Sequence, residues 1–392
     1  MKFSAEQKIM FLSVRVNPLQ SELAAIDEQL PLVSDWTYFL RLLIDRGVAP
    51  LFYVKLPLLR NSNLIPQNIQ DALMQTYYKV LSRNMLLYKV LKEIVDLLDA
   101  NSIKVVLLKG MYVAEHFYKD IALRQSSDID LLVEEQDGLR AHDLIKTLGF
   151  SNIWSEISGF VGDNNYKIHY SPLVREDVLV EVHHRLHTDS PDYALRVQAM
   201  IDSAAFVRVS EVKVLVFNLF DTLIYTCVHL DKHSQEGYTQ FTGYFDITNI
   251  LADCGENFDW EKFTERCRFH ACEQAVFRQI ALAAKYFYAN IPVEIKEKYI
   301  VLISEKDETL LFSLLSGDTN DIKVGVYEYY THQHVANIKS LHSVSKKLRY
   351  LRDVIFPPKQ FMIAKYCPQN PQNYWLYYFY RYYRGVKGLF KK

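Results

Sequence analysis

Paired cysteines are missing from this chain of 392 residues. Its five, Cys227, Cys254, Cys267, Cys272 and Cys367, are odd in number and form no CxxC or metal-like spacing. That argues against a disulfide framework or a structural zinc site and for reduced thiols in a cytoplasmic protein. The N-terminal stretch Met1 to Met10 has no long apolar core and no small-residue cleavage site, so no secretory signal is expected. No apolar run reaches the roughly 20 residues that a membrane-spanning helix needs. The most apolar stretch, Val214 to Leu230, is interrupted by Asn218 and Asp221. An overall charge bias is absent too, with 45 Lys and Arg against 46 Asp and Glu. Internal repeats are absent, as are low-complexity segments ahead of the C-terminal region. What is there is apolar substance: 49% hydrophobic and 14% aromatic residues fill sizeable cores and exclude a disordered or collagen-like chain. The length suits two or three domains.

The neutral total hides an asymmetry. From Lys339 onward there are twelve Lys or Arg against the single acid Asp353, a net +11 that leaves −12 on the first 338 residues. Nine aromatics lie among these cations between Tyr374 and Phe390. Such a segment is expected to pack on the body with a wet basic edge, to lie on a membrane surface, or to contact a polyanion such as nucleic acid. The expected location is cytoplasmic, with peripheral attachment at the inner membrane face through this tail.

Hydrophobic spacing divides the chain into four regions. Residues 1–100 read as a helical N-terminal region, with apolar residues three and four apart over Trp36 to Ile44 and Ile69 to Leu98. Residues 101–190 change period. Ile103 to Leu108 reads as a buried strand ended by Lys109-Gly110, Met111 to Tyr118 as a helix, Ser127 to Val133 as a strand, and Gly138 to Leu148 as a helix. Two more strands are expected near Asn165–Tyr170 and Val178–His183, separated by a polar turn over Pro172–Asp177. Residues 191–345 read as a helical C-terminal domain and 346–392 as the basic aromatic tail.

The chemistry centres on Ser127-Asp128-Ile129-Asp130-Leu131-Leu132-Val133. Side chains alternate along a strand, so Asp128 and Asp130 share one face about 6.6 Å apart at Cα, while Ile129, Leu131 and Val133 anchor the other. Two neighbouring carboxylates are costly to bury without a cation and suit Mg²⁺, which takes carboxylates together with substrate phosphates. Glu181, in the strand Val178 to His183, is positioned to be a third carboxylate. Lys109-Gly110, opening a helix, offers a lysine and backbone N–H groups to phosphate, or simply makes a turn. Arg124 holds the metal loop, meets a phosphate, or forms a surface ion pair. A three-carboxylate site with two Mg²⁺ ions, replaceable by Mn²⁺, suits attack by a hydroxyl on the α-phosphate of an NTP. Asp128 and Asp130 bridge both ions in that scheme, and Glu181 holds the nucleophile-side one.

These residues resemble a known family. Val106-Leu107-Leu108-Lys109-Gly110, Arg124, the Ser127 to Val133 strand and Glu181-Val182-His183 look like the bacterial uncharacterised nucleotidyltransferases of the DNA polymerase β-like superfamily. His229, Lys232-His233, Tyr244-Phe245-Asp246-Ile247 and the Phe356-Pro357 step are similar to further elements of that family. The resemblance implies an α+β fold: a polymerase β-like core of mixed sheet and flanking helices, with helical N- and C-terminal regions. The chain departs from the superfamily at Lys109-Gly110-Met111, where Gly-Ser or Gly-Gly is usual, so Lys109 takes over a serine's phosphate contact. It departs again at Glu181, where aspartate is commoner.

Two adjacent strand histidines face opposite sides and no thiolate completes a tetrahedron. This disfavours zinc at His183, His184 and His187 and leaves His183 to contact substrate, orient Glu181 or pack in the core. His229 and His233 are four apart on one helix face beside Lys232, and are expected to touch nucleotide phosphate or acceptor, with Asp246 pairing one of these cations. The catalytic and metal-binding set is therefore Asp128, Asp130 and Glu181. The nucleotide-contacting set is Lys109, Gly110, Arg124, Ser127, His183, His229, Lys232 and His233. The expected reaction is Mg²⁺-dependent transfer of NMP, AMP by preference, from NTP to a hydroxyl, a phosphate or a protein side chain; the acceptor is a small molecule, a polysaccharide precursor or a protein. Two alternatives remain at the level of sequence. One is a glycosyltransferase using the D-x-D for a sugar nucleotide, which requires a doubly wound sheet ahead of it. The other is a non-catalytic nucleotide-binding or regulatory module.

Overall fold

The computed structural model describes residues 3–152, 170–186, 195–235, 239–316, 344–356, 362 and 373–389. The expected strand at Asn165–Tyr170, apart from Tyr170 itself, lies outside these residues, as do His187, Cys367 and Pro357.

The N-terminal region is helical: α1 (Ala5–Leu12), α2 (Gln20–Gln29), α3 (Trp36–Asp45), α4 (Ala49–Tyr53) and the 34-residue α5 (Gln67–Ala100). A doubly wound sheet ahead of the D-x-D is therefore absent among the described residues. Helix α5 runs long because Ile69, Leu73, Leu87, Leu91, Ile94 and Leu98 recur at helical spacing and are all buried. Pro66 opens it, and Ser102, at φ 58°, turns the chain out of it.

The centre is a seven-stranded mixed sheet in the order β3-β4-β5-β2-β1-β7-β6, made of β1 (Val106–Leu107), β2 (Asp128–Leu132), β3 (Ser151–Asn152), β4 (Leu173–Arg175), β5 (Val178–His183), β6 (Ala205–Val209) and β7 (Val212–Val216). Helices α6 (Gly110–His116) and α7 (Gly138–Lys146) follow β1 and β2. Strand β2 runs parallel to β5 and antiparallel to β1. Its inner residues Ile129 and Leu131 face the same side as Val180 and Val182 of β5, and all four are at most 1% exposed. That apolar layer fixes the register, because a one-residue slip would drive the aspartates into the core.

Three local expectations are corrected. Pro172–Asp177 is not all turn: Leu173–Arg175 is β4, paired antiparallel with β5, and only Glu176 and Asp177 turn, with Glu176 at φ 53°. The β6–β7 hairpin is an addition, turned at Ser210 (φ 53°); its alternation of Val207, Val209, Val212, Val214 and Val216 with Arg208 and Lys213 is the strand signal that reveals it. Residues on both sides of position 190 thus build one sheet. At the β1–α6 junction the residue in the left-handed region is Lys109 (φ 28°, ψ −122°) and not Gly110. A Cβ on Gly110 would meet Arg124 Nη1 at 3.7 Å and Ser126 Oγ at 3.9 Å, which is ordinary contact. The turn therefore strains a lysine and does not require the glycine.

Helix α8 (Val197–Asp202) links β5 to β6, and after β7 come α9 (Leu219–Gln235), α10 (Phe241–Cys254), α11 (Trp260–Phe269) and α12 (Glu273–Tyr286). Helix α9 is buried along most of its length and packs on α10 and α12. Its His229 and His233, one turn apart, line the cleft described next.

Candidate active site

The parallel pairing of β2 with β5 sets Asp130 directly beside Glu181 and places Asp128, Asp130, Glu181 and His183 on one face of the sheet. His183 Nε2 lies 3.0 Å from Asp130 Oδ1 and 3.4 Å from Glu181 Oε2. His184 faces the other way, with its ring 4.8 Å from that of Tyr170. Asp130, Glu181 and His183 each offer a ligand atom, all within 4.8 Å of one another.

Across from these acids stands α9. Lys109 Nζ lies 3.1 Å from Asp130 Oδ2 and 3.0 Å from His229 Nε2, and His233 Nε2 is 2.8 Å from the same His229 nitrogen. A cleft of about 220 Å³ opens here, lined among others by Lys109, Arg124, Ser127, Asp128, Asp130, His229 and His233. Gly110 lines it as well, while Glu181 and His183 adjoin it through Asp130. Lys232 is half-buried and does not line this cleft.

The electrostatics follow from crowding. Burial and the neighbouring Asp130 charge raise the Asp128 carboxyl above its ordinary pKa. For Asp130 burial alone would do the same, yet the Lys109 ammonium and the His183 donor outweigh it and hold that carboxyl far below the carboxylate range. Burial, together with Lys109 and His233, pushes His229 well below 6.5. A neutral His229 can then accept a hydrogen bond from Lys109. Ser127 Oγ donates to Asp128 Oδ1 at 3.0 Å.

The donor set fits a hard divalent cation: two carboxylates and an imidazole converge, and a third carboxylate, Asp128, is strained by its charged neighbour. A bound cation would take the place of the Lys109 ammonium now on Asp130.

Arg124 and Asp246 correct the reading of the charges. Asp246 pairs with none of His229, Lys232 or His233. Its two oxygens accept from Arg124 Nε and Nη2, each at 2.7 Å, and Tyr118 Oη donates to Oδ1 at 2.9 Å. Arg124 is 9% exposed, so this is a buried bidentate pair and not a surface bridge. Residues that sequence reading missed hold the loop between α6 and β2. Asn84 Nδ2 donates to the Arg124 carbonyl at 2.8 Å, and Arg83 Nη2 donates to the carbonyls of Ser127 (3.0 Å) and Asp177 (2.7 Å). A polar pair in the middle of α5 is the one signal in the sequence that could have flagged them.

A mixed sheet carrying an acidic cluster against a cleft lined by a lysine, an arginine and histidines defines an α+β protein with a group of side chains that could hold a metal ion. A family model described as uncharacterised nucleotidyltransferase matches residues 33–288, and the chain belongs to that family. Neither the curated proteins nor the solved structures give a match. The matched stretch contains every candidate site residue and ends before the basic C-terminal segment. Membership supports nucleotidyl transfer as the function.

Proposed function

We infer that the protein transfers NMP, AMP by preference, from an NTP to an acceptor hydroxyl, phosphate or protein side chain, with divalent ions held by Asp128, Asp130 and Glu181. The observation that carries this reading is the register of Asp130 against Glu181, with Asp128 on the same face of the same cleft. Mg²⁺ or Mn²⁺ bound there would neutralise triphosphate charge and favour ionisation of the acceptor. The chain's own residues bind and orient. Lys109, which leaves Asp130 when a cation arrives, turns its ammonium to the phosphates, and Ser127, His229 and His233 line their path. Lys232, between the two histidines on α9 but off the cleft lining, is left to the acceptor. Arg124, fixed by Asp246, keeps the loop before β2 in place and presents its Nη1 edge to the cleft. His183 orients Asp130 and Glu181. The acceptor oxygen forms a bond to the α-phosphorus, the bond to the bridging oxygen of pyrophosphate breaks, and the acceptor's proton is released. In this division of labour residues 101–190 carry the acids, residues 191–345 supply the opposing wall, and residues 1–100 brace the sheet.

The test is transfer from α-labelled NTP in the presence of Mg²⁺ to the protein itself and to acceptor pools. Asp128→Ala and Asp130→Ala should each abolish transfer while the circular dichroism spectrum is retained. Transfer persisting in both variants contradicts the reading.

A further inference from the structure

Two helices outside the matched stretch, Val344–Ile355 and Leu376–Leu389, expose apolar rows to solvent. On the first, Val344, Leu348, Leu351 and Ile355 fall within about 60° of one another by the 100° step of a helix, and all four are exposed, from 38% at Leu351 to 72% at Val344. Lys347 and Arg352 flank that row on either side. On the second, Leu376, Phe379, Tyr380 and Tyr383 share one face, with Trp375 at its edge, and Phe379 is 68% exposed. The two helices touch: Tyr382 Oη donates to the Ile355 carbonyl, and the rings of Phe356 and Tyr382 lie 6.3 Å apart.

A row of large apolar side chains left in water needs a cover. A protein groove would serve the apolar row alone, but it gives no account of twelve Lys or Arg against one acid from residue 339 onward. An interface that is apolar below and anionic above accounts for both. Tryptophan and tyrosine also favour the boundary between headgroups and acyl chains.

We propose that this pair of amphipathic helices is a docking surface for an anionic phospholipid bilayer, with Leu348, Ile355, Leu376 and Phe379 entering the acyl boundary and the flanking cations meeting the headgroups. The inference is independent of the transferase reading, since no residue of the cleft takes part.

The full-length protein is sedimented with vesicles of phosphatidylcholine alone or mixed with phosphatidylglycerol, and single-stranded RNA is titrated in parallel. The protein should pellet with the mixed vesicles and stay in solution with the neutral ones, and added salt should weaken the binding. Leu348→Glu and Phe379→Glu, at exposed positions where folding is not at stake, should each abolish pelleting. Lys347→Ala should weaken it about fivefold. Equal pelleting with neutral vesicles, pelleting unchanged by both glutamate substitutions, or RNA binding that displaces the vesicles overturns the proposal. Transfer activity in solution should be unaltered in all three variants.

Discussion

Arg124 and Asp246, 122 positions apart, meet in a buried bidentate ion pair that ties the loop ahead of β2 to α10. Burial alone would lower the guanidinium's pKa, but the Asp246 carboxylate overrides that and raises it. The pair positions the acidic strand from outside it, and Tyr118 and Asn84 complete the bracket.

Removing one partner leaves the other charged, buried and unpaired. Asp246→Ala should therefore cost about 3–5 kcal/mol in urea unfolding. Arg124→Met combined with Asp246→Leu should cost clearly less than the two single changes added together. An Asp246→Ala variant as stable as the parent would contradict the assignment.

Lys109 sits in a strained backbone conformation with its ammonium between Asp130 and His229. Lys109→Met should lower kcat/KM for NTP about 10- to 100-fold, the scale of one lost charge-assisted hydrogen bond. Lys109→Arg should recover only part of this, because a planar fork does not replace a point charge. Steady-state kinetics at saturating acceptor check both, and an unchanged Lys109→Met variant would remove the lysine from the phosphate path.

Glu181 carries one methylene more than aspartate and stands next to Asp130. Glu181→Gln should raise the Mg²⁺ concentration for half-maximal activity by about tenfold or more, in keeping with the loss of a charged ligand. Glu181→Asp should shift it less. Titration of activity with Mg²⁺ and Mn²⁺ reads both, and identical curves for all three proteins would exclude position 181 from the ion site.

The N-terminal helices hold a second buried charge, Lys55, which is fully inaccessible and donates to the carbonyls of Ser13 (2.9 Å) and Leu51 (3.0 Å). Burial lowers its pKa from 10.5 to about 7, with Glu22 opposing the fall. Between those values the unfolded chain keeps a proton that the native chain has lost, so this residue makes stability rise with pH. Its contribution is complete above the unfolded pKa and gone once pH falls below about 7. Urea midpoints from neutral to alkaline pH should therefore rise less steeply in Lys55→Met than in the parent protein. Parallel pH profiles would contradict this.

The sequence shows the acidic strand because alternation alone assigns Asp128 and Asp130 to one face and Ile129 and Leu131 to the other. It places Glu181 on a strand for the same reason. Alternation cannot reveal the register that sets Asp130 opposite Glu181, which depends on how two separate apolar layers interlock. The partner of Asp246 is hidden in the sequence because nearness along α9 and α10 favours His229, Lys232 and His233, whereas Arg124 arrives from a loop more than a hundred residues earlier. The strain at Lys109 was invisible because glycine is the usual occupant of such a conformation and Gly110 stands next to it. The β6–β7 hairpin was legible in principle, since its valines alternate with charged residues.

The most direct measurement is a crystal soaked with Mn²⁺ and a nonhydrolysable NTP, with the ion located by anomalous scattering. The account predicts a peak held by Asp128, Asp130 and Glu181, with the triphosphate beside Lys109 and the α-phosphorus facing the acids. A nucleotide bound away from Lys109 and the two aspartates, or an ion that ignores all three carboxylates, would contradict it.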